Sequence, residues 1–443
     1  MKDLSLVLKI LLLINCCFFS LNVDATKLLS KENVRIHFSE ISGDKLNIEY
    51  TLDSSVSQLY LKTTPDQSRA EFWKPESNEF VLSHVSGNDI IQRADGKSFK
   101  TATFVIDIVD ISLPKYYRPF SPFFKRDDGL VIHTGQYFAC SNLCDKTPTT
   151  WAIEITAKDA NIVHYQDVGF SKVTWQDNGD GRSFYVGPQA PVESENLIAM
   201  IDSGLPEKLH TILNRELPNL VDVMAEKFET FKSKPLVFAS YNIGDPARRG
   251  YQGGVLNKTV MLHWWGVNLE QRIDESDTLW FIIHEIAHFY QHQEFKVDVD
   301  EVAWIHEGFA DIMAAELLAD DGDKYKEYVH TRFEHAKSEC AAGLKTTPLG
   351  KATDLKKFDL HYKCGLLLHR YISQSANQSV TVFDLWNRYR LAINQGLPAS
   401  KETYLSVVEG LLEDDEFSVL ETIVGNKIPP SDAVRLLMNG STL

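Results

Sequence analysis

The 443-residue chain contains no run of lysine or arginine, and its 45 basic residues are outnumbered by 61 acidic ones, for a formal net charge of −16. Such a chain repels phosphate unless it gathers a basic patch, which argues against a nucleic-acid partner. Cysteine is sparse, at six residues. No second Cys/His pair accompanies the Cys140-x-x-x-Cys144 spacing, so a structural zinc knuckle is disfavoured. No internal repeat or low-complexity tract occurs, which excludes solenoids and arrays. Long apolar runs are also missing, except for one from Leu4 to Leu21.

That run follows Met1-Lys2 and ends in Val23-Asp24-Ala25, and residues 1–25 read as an export signal that is cleaved. A retained anchor is disfavoured, because the run is short for a bilayer and includes Lys9 and Asn15. Lipidation at Cys16 or Cys17 is disfavoured too, since Asn15 is a poor fit to the small residue expected before an acylated cysteine. A secreted or periplasmic protein is expected, with no stable membrane span after cleavage. Loss of the segment removes two lysines and two aspartates, so the charge stays at −16. Cys140, Cys144, Cys340 and Cys364 remain, and an even number in an exported chain favours disulfides. Proximity pairs Cys140 with Cys144 and Cys340 with Cys364. Asn257, Asn377 and Asn439 lie in glycosylation sequons.

An α+β multi-domain fold is expected from length and pattern. From Val34 to about Pro188, short apolar or alternating segments separated by turn residues predict an N-terminal antiparallel β domain, a sandwich or saddle spanning residues 26–190. Asp177-Asn-Gly-Asp-Gly-Arg182 resembles the start of a calcium loop, but no glutamate closes it, and a plain hairpin is expected. Leu205–Phe231 reads as one or two amphipathic helices, with strands at Pro235–Tyr241 and Thr259–Trp264. From Asp277 onward the pattern is helical.

The segment from Ser276 to His292 opens with capping residues and continues as a helix, which places His284 and His288 one turn apart on one face, able to reach one cation. Neutral imidazole suits Zn2+, and Glu285 between them is placed to act as a base on an attacking water. After eighteen intervening residues beyond His288 comes Glu307, the expected third ligand, which leaves a fourth position open as catalytic sites require. Asp311 follows Glu307 by one turn and can accept a hydrogen bond from the other ring nitrogen of His284. His292, a further turn along, is expected on the surface rather than at the metal.

His284-Glu285-x-x-His288 followed by Glu307-Gly308-Phe309-Ala310 resembles the gluzincin metallopeptidases, above all the aminopeptidase N family and the glycyl aminopeptidases, most strongly over residues 250–370. The resemblance implies a thermolysin-like catalytic domain at 191–375, a C-terminal helical segment at 376–443, and a peptide or protein substrate. It also implies that Tyr362, in Tyr362-Lys-Cys-Gly365, donates to the oxyanion, with His361 as the next candidate. The family's Gly-x-Met-Glu-Asn strand, whose glutamate holds the substrate amine, corresponds to Gly253-Gly254-Val255-Leu256-Asn257. Gly253 and Gly254 are therefore candidates for backbone pairing with substrate. Leu256 stands where the glutamate would be. An aminopeptidase-like zinc peptidase is the implied activity, with a zinc endopeptidase or an inactive zinc-stabilised binding protein as alternatives.

Overall fold

The computed structural model describes residues 30–41, 44–64, 69–108, 129–144, 149–165, 167–228, 233–243, 248–256, 258–291, 299–376 and 380–438. Residues 1–25, expected to be an export signal, His292 and the three sequon asparagines lie outside them.

The N-terminal part comprises β1 (Ser30–Ser39), β2 (Lys45–Val56), β3 (Gln58–Leu61), helical turn α1 (Arg69–Phe72), β4 (Trp73–Pro75), β5 (Phe80–Val85), β6 (Asn88–Arg93), β7 (Phe99–Asp107), β8 (Leu130–His133), β9 (Ala139–Cys140), β10 (Thr149–His164), β11 (Asp167–Asn178) and β12 (Ser183–Gly187). Alternation drives these strands: in β2, Leu46, Ile48, Tyr50 and Leu52 are buried while their neighbours are not. One sheet runs β4-β7-β2-β1-β10-β12-β8, with β11 also on β10, and a second runs β5-β6-β3-β9. They close over a core that includes Phe38, Trp73, Tyr137, Phe138 and Trp151.

Two details depart from the expected antiparallel hairpins. β1 pairs with β10 in parallel; the two are far apart in sequence, so no tight turn dictates an antiparallel return. The Asp177–Arg182 turn does not join a hairpin, because β11 and β12 both pair with β10 rather than with each other. Asp177 is buried, accepting from the Thr134 hydroxyl at 2.5 Å with Arg182 3.4 Å away, so its carboxylate is committed to holding the turn.

The second part begins with a mixed sheet of β13 (Val192–Glu193), β14 (Ile198–Ile201), β15 (Leu236–Asn242), β16 (Gly250–Leu256) and β17 (Thr259–Trp265), in the order β13-β14-β15-β17-β16. β14, β15 and β17 are parallel, and β16 runs antiparallel to β17 at the edge. A single helix, α2 (Glu207–Lys227), occupies the expected helical stretch, with Pro218 inside it. Helices α3 (Glu275–Gln291), α4 (Val299–Asp320), α5 (Asp323–Leu344), α6 (Asp359–Ser375), α7 (Val382–Asn394), α8 (Lys401–Glu409), α9 (Asp414–Gly425) and α10 (Pro430–Met438) follow.

The last four helices share one core with the sheet and with α2 to α6: Trp386, Tyr404, Leu420 and Ala433 belong to the cluster that holds Ile283 and Phe309. A small third cluster, including Val163, Tyr185, Met200 and Phe238, joins this part to the N-terminal sheets. No helix among the described residues is long and apolar enough to cross a membrane.

One buried helix and one close helix crossing position the candidate side chains. α3 is buried along almost its whole length, and it starts two residues earlier than a cap at Ser276 would place it. Asp274 does the capping, its Oδ1 accepting from the Asp277 amide at 2.9 Å. Where α4 meets α6, Gly308 faces Gly365, and a Cβ on either would collide with the other helix's backbone. That close approach brings the Tyr362 turn against the Glu307 turn. The Cys340–Cys364 disulfide ties α5 to α6 beside it, with Cα atoms 5.0 Å apart, and Cys140 bonds to Cys144 across 5.6 Å.

Candidate metal centre and active site

His284 and His288 project from α3 and Glu307 from α4, and ligand atoms from all three lie within 4.8 Å of one another. His284 Nε2 is 3.1 Å from both His288 Nε2 and Glu307 Oε2, and His288 Nε2 is 3.2 Å from the same oxygen.

The opposite ring nitrogens are engaged elsewhere. His284 Nδ1 lies 2.9 Å from Asp311 Oδ1, which also accepts from the Trp280 indole at 2.8 Å. His288 Nδ1 lies 2.7 Å from Gln291 Oε1, and the Gln291 amide nitrogen donates to the His306 carbonyl at 2.9 Å. Because each acceptor is itself fixed, each ring keeps a proton on Nδ1 and directs Nε2 to the common point, where it can give its lone pair to a cation. Two imidazole nitrogens and one carboxylate oxygen form a donor set that fits Zn2+ and leaves coordination positions open.

Charge agrees with this fit. Burial alone would lower the His284 pKa, but hydrogen bonds to Asp311 and Glu307 outweigh it and raise the group to about 10. Burial would raise Glu307, yet the two histidines pull it well below the usual carboxylate range. Negative charge is thus concentrated where a cation would replace the shared protons.

Glu285 sits beside the cluster, nearly buried, and its carboxyl lies against Gly253 of β16 so closely that a Cβ there would occupy the same space. Gly253 and Gly254 pair with Leu262 and Met261 of β17, and β16 is the last strand in the order of its sheet. Tyr362 reaches the centre from α6, its ring centroid 5.7 Å from that of His284. Burial, followed by the carboxylates of Glu307, Asp311 and Glu285, raises the phenol and keeps it a proton donor. His361 is turned to Thr353, with Nε2 3.0 Å from the hydroxyl. Leu256 ends β16 with 44% of its surface exposed.

Sequence reasoning missed Trp280 and Gln291. Both sit on the metal helix at spacings of four and three residues from the histidines they serve, which is the signal that would have found them.

No protein-family model matches the chain, and no curated protein matches it in sequence. Solved structures do. An M1 zinc metallopeptidase from Deinococcus radiodurans superposes with a TM-score of 0.50 at 13% identity, covering 90% of this chain and 94% of that one. A glutamate-to-alanine mutant of an M1 zinc metallopeptidase from the same organism gives 0.50 at 13%, covering 91% and 95%. Native yeast LTA4 hydrolase gives 0.49 at 11%, covering 91% of this chain and 68% of that chain. The fold is that of the M1 zinc metallopeptidases. It accounts for the sequence's order of β-rich, mixed and helical parts.

Proposed function

We propose that the protein is an exported zinc metallopeptidase that hydrolyses peptide bonds in an extended peptide or protein laid along β16. The observation that carries this reading is the convergence of His284, His288 and Glu307 on one point, with Glu285 next to His284 on α3 and the Tyr362 ring 5.7 Å from that of His284. Zinc, when bound, supplies the Lewis acidity that acidifies a water and polarises a carbonyl.

The protein's own groups supply the rest. Glu285 takes the proton from the attacking water and delivers it to the amide nitrogen as the C–N bond breaks. Tyr362 donates to the carbonyl oxygen as charge develops there, and its raised pKa keeps the proton available. β16 ends its sheet beside the centre, and pairing along this strand aligns the substrate in an extended form. Asp311 and Gln291 hold the imidazoles in the ligating tautomer. The apolar N-terminal segment and two disulfides support export into an oxidising compartment.

The test pairs zinc analysis with a peptide-library digest of the wild type and Glu285→Gln. The variant should retain stoichiometric zinc and lose turnover; peptidase activity surviving in it would defeat the assignment. One observation favours cleavage of internal bonds over strict aminopeptidase action: the exposed side chain at the end of β16 is Leu256, which offers no carboxylate to a free amine. Equal cleavage of N-acetylated and free peptides would support that second reading, and cuts confined to free N-termini would reject it.

A further inference from the structure

A cavity of about 280 Å3 opens between α4, α5 and α6, away from the hydrolytic groups. Ala315 in its lining lies eight positions beyond Glu307 on α4, and Arg370 lies eight beyond Tyr362 on α6, in each case about 12 Å along the helix axis. The two helices approach closely where Gly308 faces Gly365, and the cavity sits further toward their C-terminal ends. Ala315 and Ala319 from α4 and Val329 and Phe333 from α5 give it an apolar lining, and all but Ala319 are buried.

Two opposite charges from different helices border this lining without meeting. Arg370 is half-buried, with its guanidinium carbon 4.1 Å from the centroid of the Phe333 ring, and among the described residues it forms no ion pair or hydrogen bond. Glu316, exposed on α4, likewise forms neither. The charges around them are matched elsewhere: Lys326 with Asp323 at 2.6 Å, Glu334 with Lys337 at 2.5 Å, and Asp320 with Lys227 at 3.9 Å. His330 stands exposed on α5 at the rim. Burial works against the Arg370 charge, and Glu316 and Glu334 offset only part of that cost. The N–H fork of Arg370 is thus uncommitted, and such a fork matches a carboxylate bidentately.

We propose that this cavity binds a free α-amino acid with an apolar side chain, its carboxylate on Arg370, its ammonium on Glu316 and its side chain against Val329 and Phe333. A simple anion would satisfy Arg370 but meet Glu316 as a like charge, and a simple cation would do the reverse. A zwitterion satisfies both. The volume lies near the lower end of the range of about 300 to 1,000 Å3 usual for small-molecule sites, which suits one amino acid rather than a peptide.

Calorimetry on the zinc-loaded full chain tests the site with L-leucine, N-acetyl-L-leucine and L-leucinamide as probes. The wild type should bind leucine roughly tenfold more tightly than either derivative, since each lacks one of the two charges. Arg370→Gln should weaken leucine by about tenfold and erase its advantage over leucinamide. Glu316→Gln, a change at an exposed position that the fold should tolerate, should erase the advantage over N-acetyl-leucine. Arg370→Lys, which keeps a charge and an apolar stem beside Phe333, should retain part of the preference for leucine over leucinamide. Leucine binding that none of these substitutions alters would place the ligand elsewhere and overturn the site. Equal affinity for leucine and N-acetyl-leucine in the wild type, or no saturable binding of leucine, overturns it as well. The assay measures no turnover, so each of these outcomes leaves the peptidase reading as it stands.

Discussion

Replacing Gly253 with alanine adds a single methyl group at the point where β16 meets Glu285, the proposed general base. A Cβ built at that position lies 2.5 Å from Glu285 Oε1 and nearer still to Cδ and Cγ. Carbon atoms in contact prefer about 3.5 to 4 Å, so the carboxyl must move by about 1 Å or more. The side chain can swing, because the collision is with its far end and not with backbone, and the fold should absorb the change. Catalysis should not: a displacement of about 1 Å at a reacting group can cost on the order of 100-fold. Glu285 is not among the three ligating residues, so zinc content should match that of the wild type. The expected result is a protein with full zinc, a melting temperature within a few degrees of the wild type, and kcat lowered by about two orders of magnitude with KM changed far less. Metal analysis, thermal melting and steady-state kinetics on one preparation measure all three. A kcat within about threefold of wild type would refute the reasoning, since it would mean that the Glu285 carboxyl does its work somewhere other than against Gly253.

Tyr362→Phe should keep zinc and lower kcat by roughly 100-fold with little change in KM, as expected for a donor used only when the carbonyl oxygen gains charge; a loss confined to KM would assign Tyr362 to substrate binding instead. Asp311→Ala, which frees the His284 ring and strands the Trp280 indole, should weaken zinc by about 10- to 100-fold in a chelator competition, and Gln291→Ala should do the same through His288. Unchanged zinc affinity in both would show that the rings need no holding. In chelator-treated protein the raised His284 pKa predicts a pH trend. Its stabilising contribution is fully present below the ordinary value of 6.5 and is lost as pH rises through about 10, so the metal-free melting temperature should fall across that window. Zinc must displace the same proton, so stabilisation by added zinc should grow as pH rises from 6.5, and a flat or opposite trend in thermal melts would contradict the arrangement.

Local periodicity explains why much of the centre was legible without coordinates. Helical repeat alone places His284 and His288 on one face with Glu285 beside them, and it places Asp311 one turn from Glu307. Alternation in β2 and its neighbours likewise announces the N-terminal sheets. Fold class followed from the order of these patterns. What periodicity does not carry is any distance between elements. That β1 runs parallel to β10, and that the Asp177 turn serves two strands flanking β10, depend on long-range pairing that no local signal encodes.

The chemistry of the candidate site therefore divides along the same line. The sequence by itself determined which side chains could ligate a metal, because residues one helical turn apart must share a face whatever surrounds them. Only the tertiary structure decided that α3 and α4 bring Glu307 within 3.2 Å of both imidazoles. It also decided that facing glycines at 308 and 365 let α6 come close enough to deliver Tyr362 while His361 turns to Thr353, and that the missing side chain at Gly253 leaves room for the Glu285 carboxyl. Those outcomes depend on backbone approach and excluded volume between segments distant in sequence, and they exist only once the elements have packed.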